Sequence, residues 1–337
     1  MILEGSTGAV GAVSPTDLYF DRASAGNATV IANGATTPGS PGSFIEFDRT
    51  ATADNATLIV NGGTNGGNGG TMFVYAKSTG GTAQLRLFGN GTLDLTYHDP
   101  GTFSIGSLAG DGMVLLATNT LRVGTNNLTT EFDGDLVDSA QPPGGSLTKT
   151  GSGNLTLTGA NAYQGDTIIE GRGILFVNNA SGSGTGTGSV QVNSGELAGN
   201  GTISGPVVVG NGNPGAARLR PGKSEHNPAV LTIDNTLTFS SDGTFLWLLD
   251  AVGAIASSAV ANGVTIDSAA LFTPLELQSG TLTTGTVFTV ITNNGLGAIA
   301  GRFSNLADGG TITIGSNTFQ ANYEGGDGND LTLKVVQ

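Results

Sequence analysis

The chain has 337 residues, 57 of them Gly, with aromatic residues at 6% and charged residues at 11%; ordinary domains carry about 7% Gly and about 25% charged residues. Helix-rich folds are excluded because Lys, Glu, Arg and Gln, which cover helix surfaces, are scarce beside Gly, Thr, Ser and Asn, and the aperiodic Gly with only 11 Pro excludes collagen. Twelve Lys and Arg against 26 Asp and Glu give a formal net charge of -14, which repels nucleic acid and anionic lipid, so no nucleic-acid partner is expected.

Hydrophobic residues make up 37% of the chain and recur in short Val, Ile, Leu and Phe groups that can bury a core, which argues against disorder. No stretch reaches 18 consecutive apolar residues, so no membrane insertion is expected. The absence of Cys removes disulfides, zinc-thiolate sites and Cys nucleophiles, and it suits an oxidising exterior. Residues 1–13 lack the basic n-region and long apolar run of a signal peptide.

In chain order, Phe20-Asp21-Arg22 followed by Asn27-Ala28-Thr29 recurs as Phe47-Asp48-Arg49 followed by Asn55-Ala56-Thr57, a period of about 27 residues. A third copy is expected to begin at Phe73, with Ser78, Thr79 and Ala83 as its small residues. Each copy predicts a strand, a turn, a second strand (29–31 and 58–60) and a Gly/Asn loop. Beyond Leu93, alternating strands are predicted at 93–95, 155–157, 174–177, 190–192, 207–209, 231–233 and 237–239, with apolar side chains inward and Thr, Asn or Gln outward. Strands this short suit the coils of an all-β parallel β-helix, a β-solenoid of repeats of about 25 residues over residues 1–240, with Thr and Asn ladders outside.

Residues 241–337 read as a C-terminal β-rich capping module. They hold the only Trp, within 245–249, then a small-residue stretch at 251–261 and longer strands at 287–291, 311–314 and 331–336. Exposed coil ends must be capped or will stack on another copy, so a homo-oligomer or head-to-tail fibre is one expectation.

Residues 147–169, Leu147-Thr-Lys149-Thr-Gly151-Ser-Gly153-Asn-Leu155-Thr-Leu157-Thr-Gly159-Ala-Asn161-Ala-Tyr163-Gln-Gly165-Asp-Thr167-Ile-Ile169, closely resemble the autotransporter-associated β-strand repeat of bacterial passenger domains. The copies at 20–60 look like a second repeat type of the same exported proteins. Leu219-Arg220-Pro221-Gly222-Lys223-Ser224 is similar to the stretch that follows such repeats, and the segment from Gly285 to Leu331 to their usual C-terminal module. The resemblance implies an exported, extracellular or cell-surface, right-handed parallel β-helix whose repeats serve as architecture and assist secretion and folding. It carries over no catalytic residue. With no barrel after Gln337 and no signal peptide before Met1, the expectation is a fragment of a larger exported protein or a different exit route.

Candidate chemistry is sparse. Gly210-Asn211-Gly212-Asn213-Pro214-Gly215 fits a dinucleotide fingerprint in form, but Pro221 and Gly222 forbid the helix it needs, so a turn is expected. Gly222-Lys223-Ser224 ends like a phosphate loop, yet Ala217 stands where the first Gly is required. Only two histidines exist, and neither G-x-S-x-G nor H-E-x-x-H occurs. His98, in Tyr97-His98-Asp99-Pro100-Gly101, reads as a solvated turn residue. Arg218, Arg220, Lys223, Glu225 and His226 could hold an anionic sugar through charge-assisted hydrogen bonds, against the plainer reading of a solvated turn. Gly325-Gly326-Asp327-Gly328-Asn329-Asp330-Leu331 has the form of a calcium nonapeptide, making Asp327 and Asp330 candidate Ca²⁺ ligands; as a single copy it also reads as a tight hairpin turn.

The functional expectation is a non-enzymatic extracellular structural or adhesive protein, binding partners such as surface glycans through its outer ladders and the loops 62–70 and 181–189. The rivals are a polysaccharide-acting β-helix enzyme centred on 218–226, and a passive spacer of a larger exported protein.

Overall fold

The computed structural model describes residues 1–7, 16–138, 143–213 and 215–337; Pro214 of the Gly210–Gly215 run and residues 8–13 of the amino-terminal stretch lie outside them. The described residues form no helix, and the fold is a parallel β-solenoid of about 10 turns. The chain divides into two compact units, Met1–Thr167 and Ile168–Gln337.

In the first unit, strands of three to five residues stack in parallel register. One ladder pairs Thr29–Ala32, Thr57–Val60, Gln84–Leu87 and Ser107–Gly110, so that Val30, Leu58, Leu85 and Leu108 form a single buried column. A second, six-stranded sheet runs Asp17–Asp21, Phe44–Asp48, Thr71–Val74, Thr92–Asp94, Met113–Leu115 and Asp135–Val137, burying Ile45, Met72, Leu93, Val114 and Leu136. The third joins Thr102–Ile105, Thr120–Val123 and Ser146–Lys149. Period-two alternation explains these cores: every second side chain of a strand faces inward, and parallel register places it on its equivalent in the next coil.

The Phe-Asp-Arg repeats are two such coils. Phe20 and Phe47 are register partners with rings stacked at 4.7 Å, and Arg49 Nη1 reaches back to Asp21 at 3.1 Å. Arg22 and Arg49 each turn the corner in the left-handed region, with φ of 54° and 57°. The third copy begins one residue later than its sequence suggests. Phe47 pairs with Val74 rather than Phe73, and the left-handed corner falls on Ala76, with φ of 50°. A one-residue shift reverses the face: Val74 is buried, and Phe73 joins the outer surface.

Between coils, Asn side chains form the expected outer ladders: Asn55 Nδ2 donates to Asn27 Oδ1 at 3.1 Å and Asn61 Nδ2 to Asn33 Oδ1 at 2.8 Å. Where backbones approach most closely, only Gly fits. A Cβ on Gly34 would lie 2.2 Å from the Gly63 nitrogen.

The second unit repeats this plan. Val190–Val192, Val207–Val209, Leu237–Phe239 and Val264–Ile266 stack in parallel, as do Ile174–Val177, Gly195–Gly199, Ala217–Ser224 and Gly243–Asp250. Parallel pairing continues beyond residue 240, with Leu271–Gln278 against Gly243–Asp250 and Val287–Asn293 against Ser258–Ala261. It then gives way to antiparallel pairs among Val287–Asn293, Asp330–Val335, Asn317–Gly325 and Thr311–Ile314. Trp247, fully buried, meets Phe272, Phe288 and Phe319 at 5.9–6.0 Å.

Candidate functional site

Two surfaces carry chemistry beyond the core, one in each unit. In the first unit, register aligns the outward side chains of the six-stranded sheet into two rows. One reads Asp17, Phe44, Thr71, Thr92, Met113 and Asp135, and its neighbour reads Tyr19, Glu46, Phe73, Asp94, Leu115 and Val137. Aromatic rings and carboxylates therefore alternate along the first four coils of the second row, Tyr19, Glu46, Phe73 and Asp94, with Asp17 and Phe44 beside the first two, and none of the six strands contains Lys or Arg.

The rings are continuous. Tyr19 meets Phe44 edge-on at 5.3 Å, Phe44 meets Phe73 at 5.7 Å, Phe73 meets Tyr97 at 6.5 Å, and Tyr97 stacks on Tyr75 at 5.0 Å. Tyr19 and Tyr97 are the most open, 60% and 54% exposed. Partial burial, and then the charges of neighbouring carboxylates, push the Tyr75 hydroxyl and the Glu46 carboxyl above their ordinary ranges. Sequence periodicity missed this face, because each strand contributes only one or two of its residues and the pattern exists only across coils. The signal it left in the sequence is Tyr19, Phe44 and Phe73, which stand at the first or third positions of their strands, out of phase with the buried Ile45, Phe47 and Met72.

In the second unit the structure brings together most of the basic cluster expected at 218–226. The strand Ala217–Ser224 continues past the sheet and doubles back through Asn227–Pro228, pairing Gly222 with Pro228 and Ser224 with Asn227. This hairpin covers Arg220, only 2% exposed, and a pocket of about 330 Å³ opens beside it, lined by Arg172, Glu196, Arg218, Arg220, Glu225 and His226 among others.

Arg220 Nε donates to Glu196 Oε1 at 2.5 Å, its Nη1 donates to the Ser224 carbonyl at 2.7 Å, and its guanidinium lies 5.5 Å from the Phe176 ring centre. Burial lifts the Glu196 carboxyl above its usual range, against the opposing pull of Arg220 and Arg218. The plainer sequence reading, a turn with solvated charges, fails for Arg220 and holds for the exposed Lys223. Lys223 does not line this pocket.

The remaining candidates lie elsewhere. His98 is half-buried rather than solvated: its Nδ1 faces Asn119 Oδ1 and its Nε2 the Ser78 carbonyl, both at 3.1 Å, and its ring rests edge-on against Phe103. It braces three successive coils, which the Pro100-Gly101 turn signal could not reveal. Asp327 is exposed on the turn that joins Asn317–Gly325 to Asp330–Val335, while Asp330 is buried and accepts the Asn293 amide at 2.9 Å. Among the described residues no group of three or more His, Asp or Glu is placed to hold a metal ion.

Residues 147–175 match the passenger-associated transport repeat, and they run through strands Ser146–Lys149, Leu155–Leu157 and Thr167–Ile169 into Ile174–Val177. Over 122 residues, 35% of this chain, the sequence is 36% identical to the adhesin BmaC autotransporter of Brucella suis biovar 1 (strain 1330). Over 76 residues, 20% of the chain, it is 42% identical to an extracellular serine protease of Serratia marcescens. The matched segments span 4% and 7% of those relatives' own lengths. The repeat, the solenoid and these relatives point the same way: the chain is a parallel β-solenoid that carries a passenger-associated transport repeat and is similar to segments of bacterial autotransporter passengers.

Proposed function

We propose that this solenoid is a non-enzymatic adhesive passenger segment, and that its contact surface is the outward face of the six-stranded sheet. The observation that carries this reading is the unbroken run of rings from Tyr19 to Tyr97 interleaved with Asp17, Glu46 and Asp94. Aromatic faces offer flat apolar contact to sugar rings, and carboxylates accept hydrogen bonds from hydroxyl groups. The absence of Lys and Arg from these strands, beside several carboxylates, disfavours sulfated or sialylated glycans and favours neutral ones. Each contact is weak, but repetition along the coils and arraying on a cell surface convert weak contacts into avidity. A relative whose name is that of an adhesin is consistent with this role.

The experiment is adhesion of protein-coated beads to a panel of neutral and acidic glycans, comparing the parent with a Tyr19→Ser, Tyr97→Ser double variant. Both side chains are more than half exposed, so the variant should fold normally. Adhesion to neutral glycans should fall by about tenfold or more when two stacking rings in an avid contact are lost. Undiminished adhesion would assign the contact to another face, and failure of the parent to adhere to any glycan would remove the adhesive reading.

A further inference from the structure

Arg220 holds the feature that the solenoid architecture leaves unexplained. By alternation it points outward, since its neighbour Leu219 is in the core; the hairpin then buries it. Two of its three nitrogens are engaged, by Glu196 and by the Ser224 carbonyl, while Nη2 is buried with no hydrogen-bond partner among the described residues. A buried guanidinium donor without an acceptor is costly, and in native proteins such a group calls for an explanation.

The explanation lies in the pocket that Arg220 lines. Its rim adds Arg172 and Arg218, both exposed, and His226 at the hairpin tip. Three guanidinium groups face two carboxylates, Glu196 and Glu225, and Glu196 is already bound to Arg220. This is a local excess of cationic donors on a chain whose net charge is -14. A volume of about 330 Å³ sits at the low end of small-ligand pockets.

We propose that this pocket binds the carboxylate of a single acidic sugar residue, a uronic acid. Its carboxylate would satisfy Nη2 of Arg220 with Arg218 or Arg172 as the second donor, an arrangement for which arginine is suited by its planar fork. Glu225 and the free lone pairs of Glu196 would accept hydrogen bonds from sugar hydroxyls, which distinguishes a sugar acid from a bare inorganic anion. The net charge repels a long polyanion at a distance, so the ligand is a monosaccharide or the end of a chain. This site is independent of the adhesive reading of the six-stranded face.

Calorimetric titration of the full chain with glucuronate, its methyl ester and inorganic sulfate tests the proposal, with the Arg220 side-chain ¹⁵Nε–H resonance followed by NMR. Glucuronate should bind with a Kd of about 1 mM or tighter and shift the Arg220 resonance, and the ester should bind about tenfold more weakly or worse. Arg172→Ala and Arg218→Ala remove exposed side chains, so both should retain the parent's melting temperature, and the one that lacks the second donor should lose about tenfold in glucuronate affinity. Equal binding of acid and ester, sulfate binding as tight as glucuronate, an unmoved Arg220 resonance, or unchanged affinity in both variants would each overturn it.

Discussion

Lys149 shows how much a single residue in a repeat can cost. Its register partners in the preceding coils are Val123 and Ile105, so it occupies an inward column of the first unit, and only 1% of it is exposed. Its Nζ donates to the Thr150 carbonyl at 2.7 Å, and burial lowers its pKa from 10.5 to about 8. Because the folded value lies below the unfolded one, the unfolded chain holds the extra proton between these values. The penalty on folding is thus fully present below about pH 8 and fades as pH rises toward 10.5. Lys149→Met keeps an unbranched chain in the column and removes the buried charge. It should stabilise the protein by roughly 1–3 kcal/mol at pH 7, with the gap in urea midpoints closing by pH 10.5. A gap that does not depend on pH would assign the effect to packing alone.

At the scale of strands and turns, the inward alternation within a strand and the outward Asn ladders are legible in the sequence, while the register that sets neighbours between coils is not. Strands Leu155–Leu157, Ile174–Val177, Val207–Val209 and Leu237–Phe239 fall where alternation placed them, because burial imposes period two on each strand separately. Outward neighbours are set by the register between coils, which no single strand encodes. That is why Phe73 was assigned to the repeat position that Val74 fills, and why the rings of the six-stranded face went unseen. The same distinction separates the two reverse turns with candidate chemistry. The hairpin after Ala217–Ser224 folds over its sheet and buries Arg220. The turn at 325–330 closes an antiparallel pair by matching Gly325 to Asp330 and leaves Asp327 exposed. Since the Asn293 amide already occupies Asp330 Oδ1, melting temperature and protease resistance should agree in chelator and in millimolar Ca²⁺. A calcium-dependent rise would place an ion on the native state, because only binding to the folded form stabilises it.

For the whole molecule, the decisive question is whether its sheet edges recruit another chain. A parallel solenoid ends in strands with unpaired N–H and C=O groups, which is the physical basis for expecting fibres. In the second unit those edges carry obstacles. The seven-stranded sheet passes from parallel strands into the antiparallel set Asp330–Val335, Asn317–Gly325 and Thr311–Ile314, so its edge no longer presents a coil that a parallel partner could extend. The strand Leu271–Gln278 pairs with Gly243–Asp250 and contains Pro274, opposite Trp247, which has no N–H to offer a neighbour. Beside it, the turn at Gly315 comes against the Glu276 carboxylate, adding a charge that resists pairing. The purified chain should therefore scatter light with the mass of one copy and show no filaments by electron microscopy. Pro274→Val restores a donor to the edge in a residue suited to strands, and it should make the scattering mass rise with concentration while the parent's stays constant. Filaments of the parent protein would mean that assembly proceeds through a different edge, and an unchanged Pro274→Val mass would assign the protection to the antiparallel strands and Glu276.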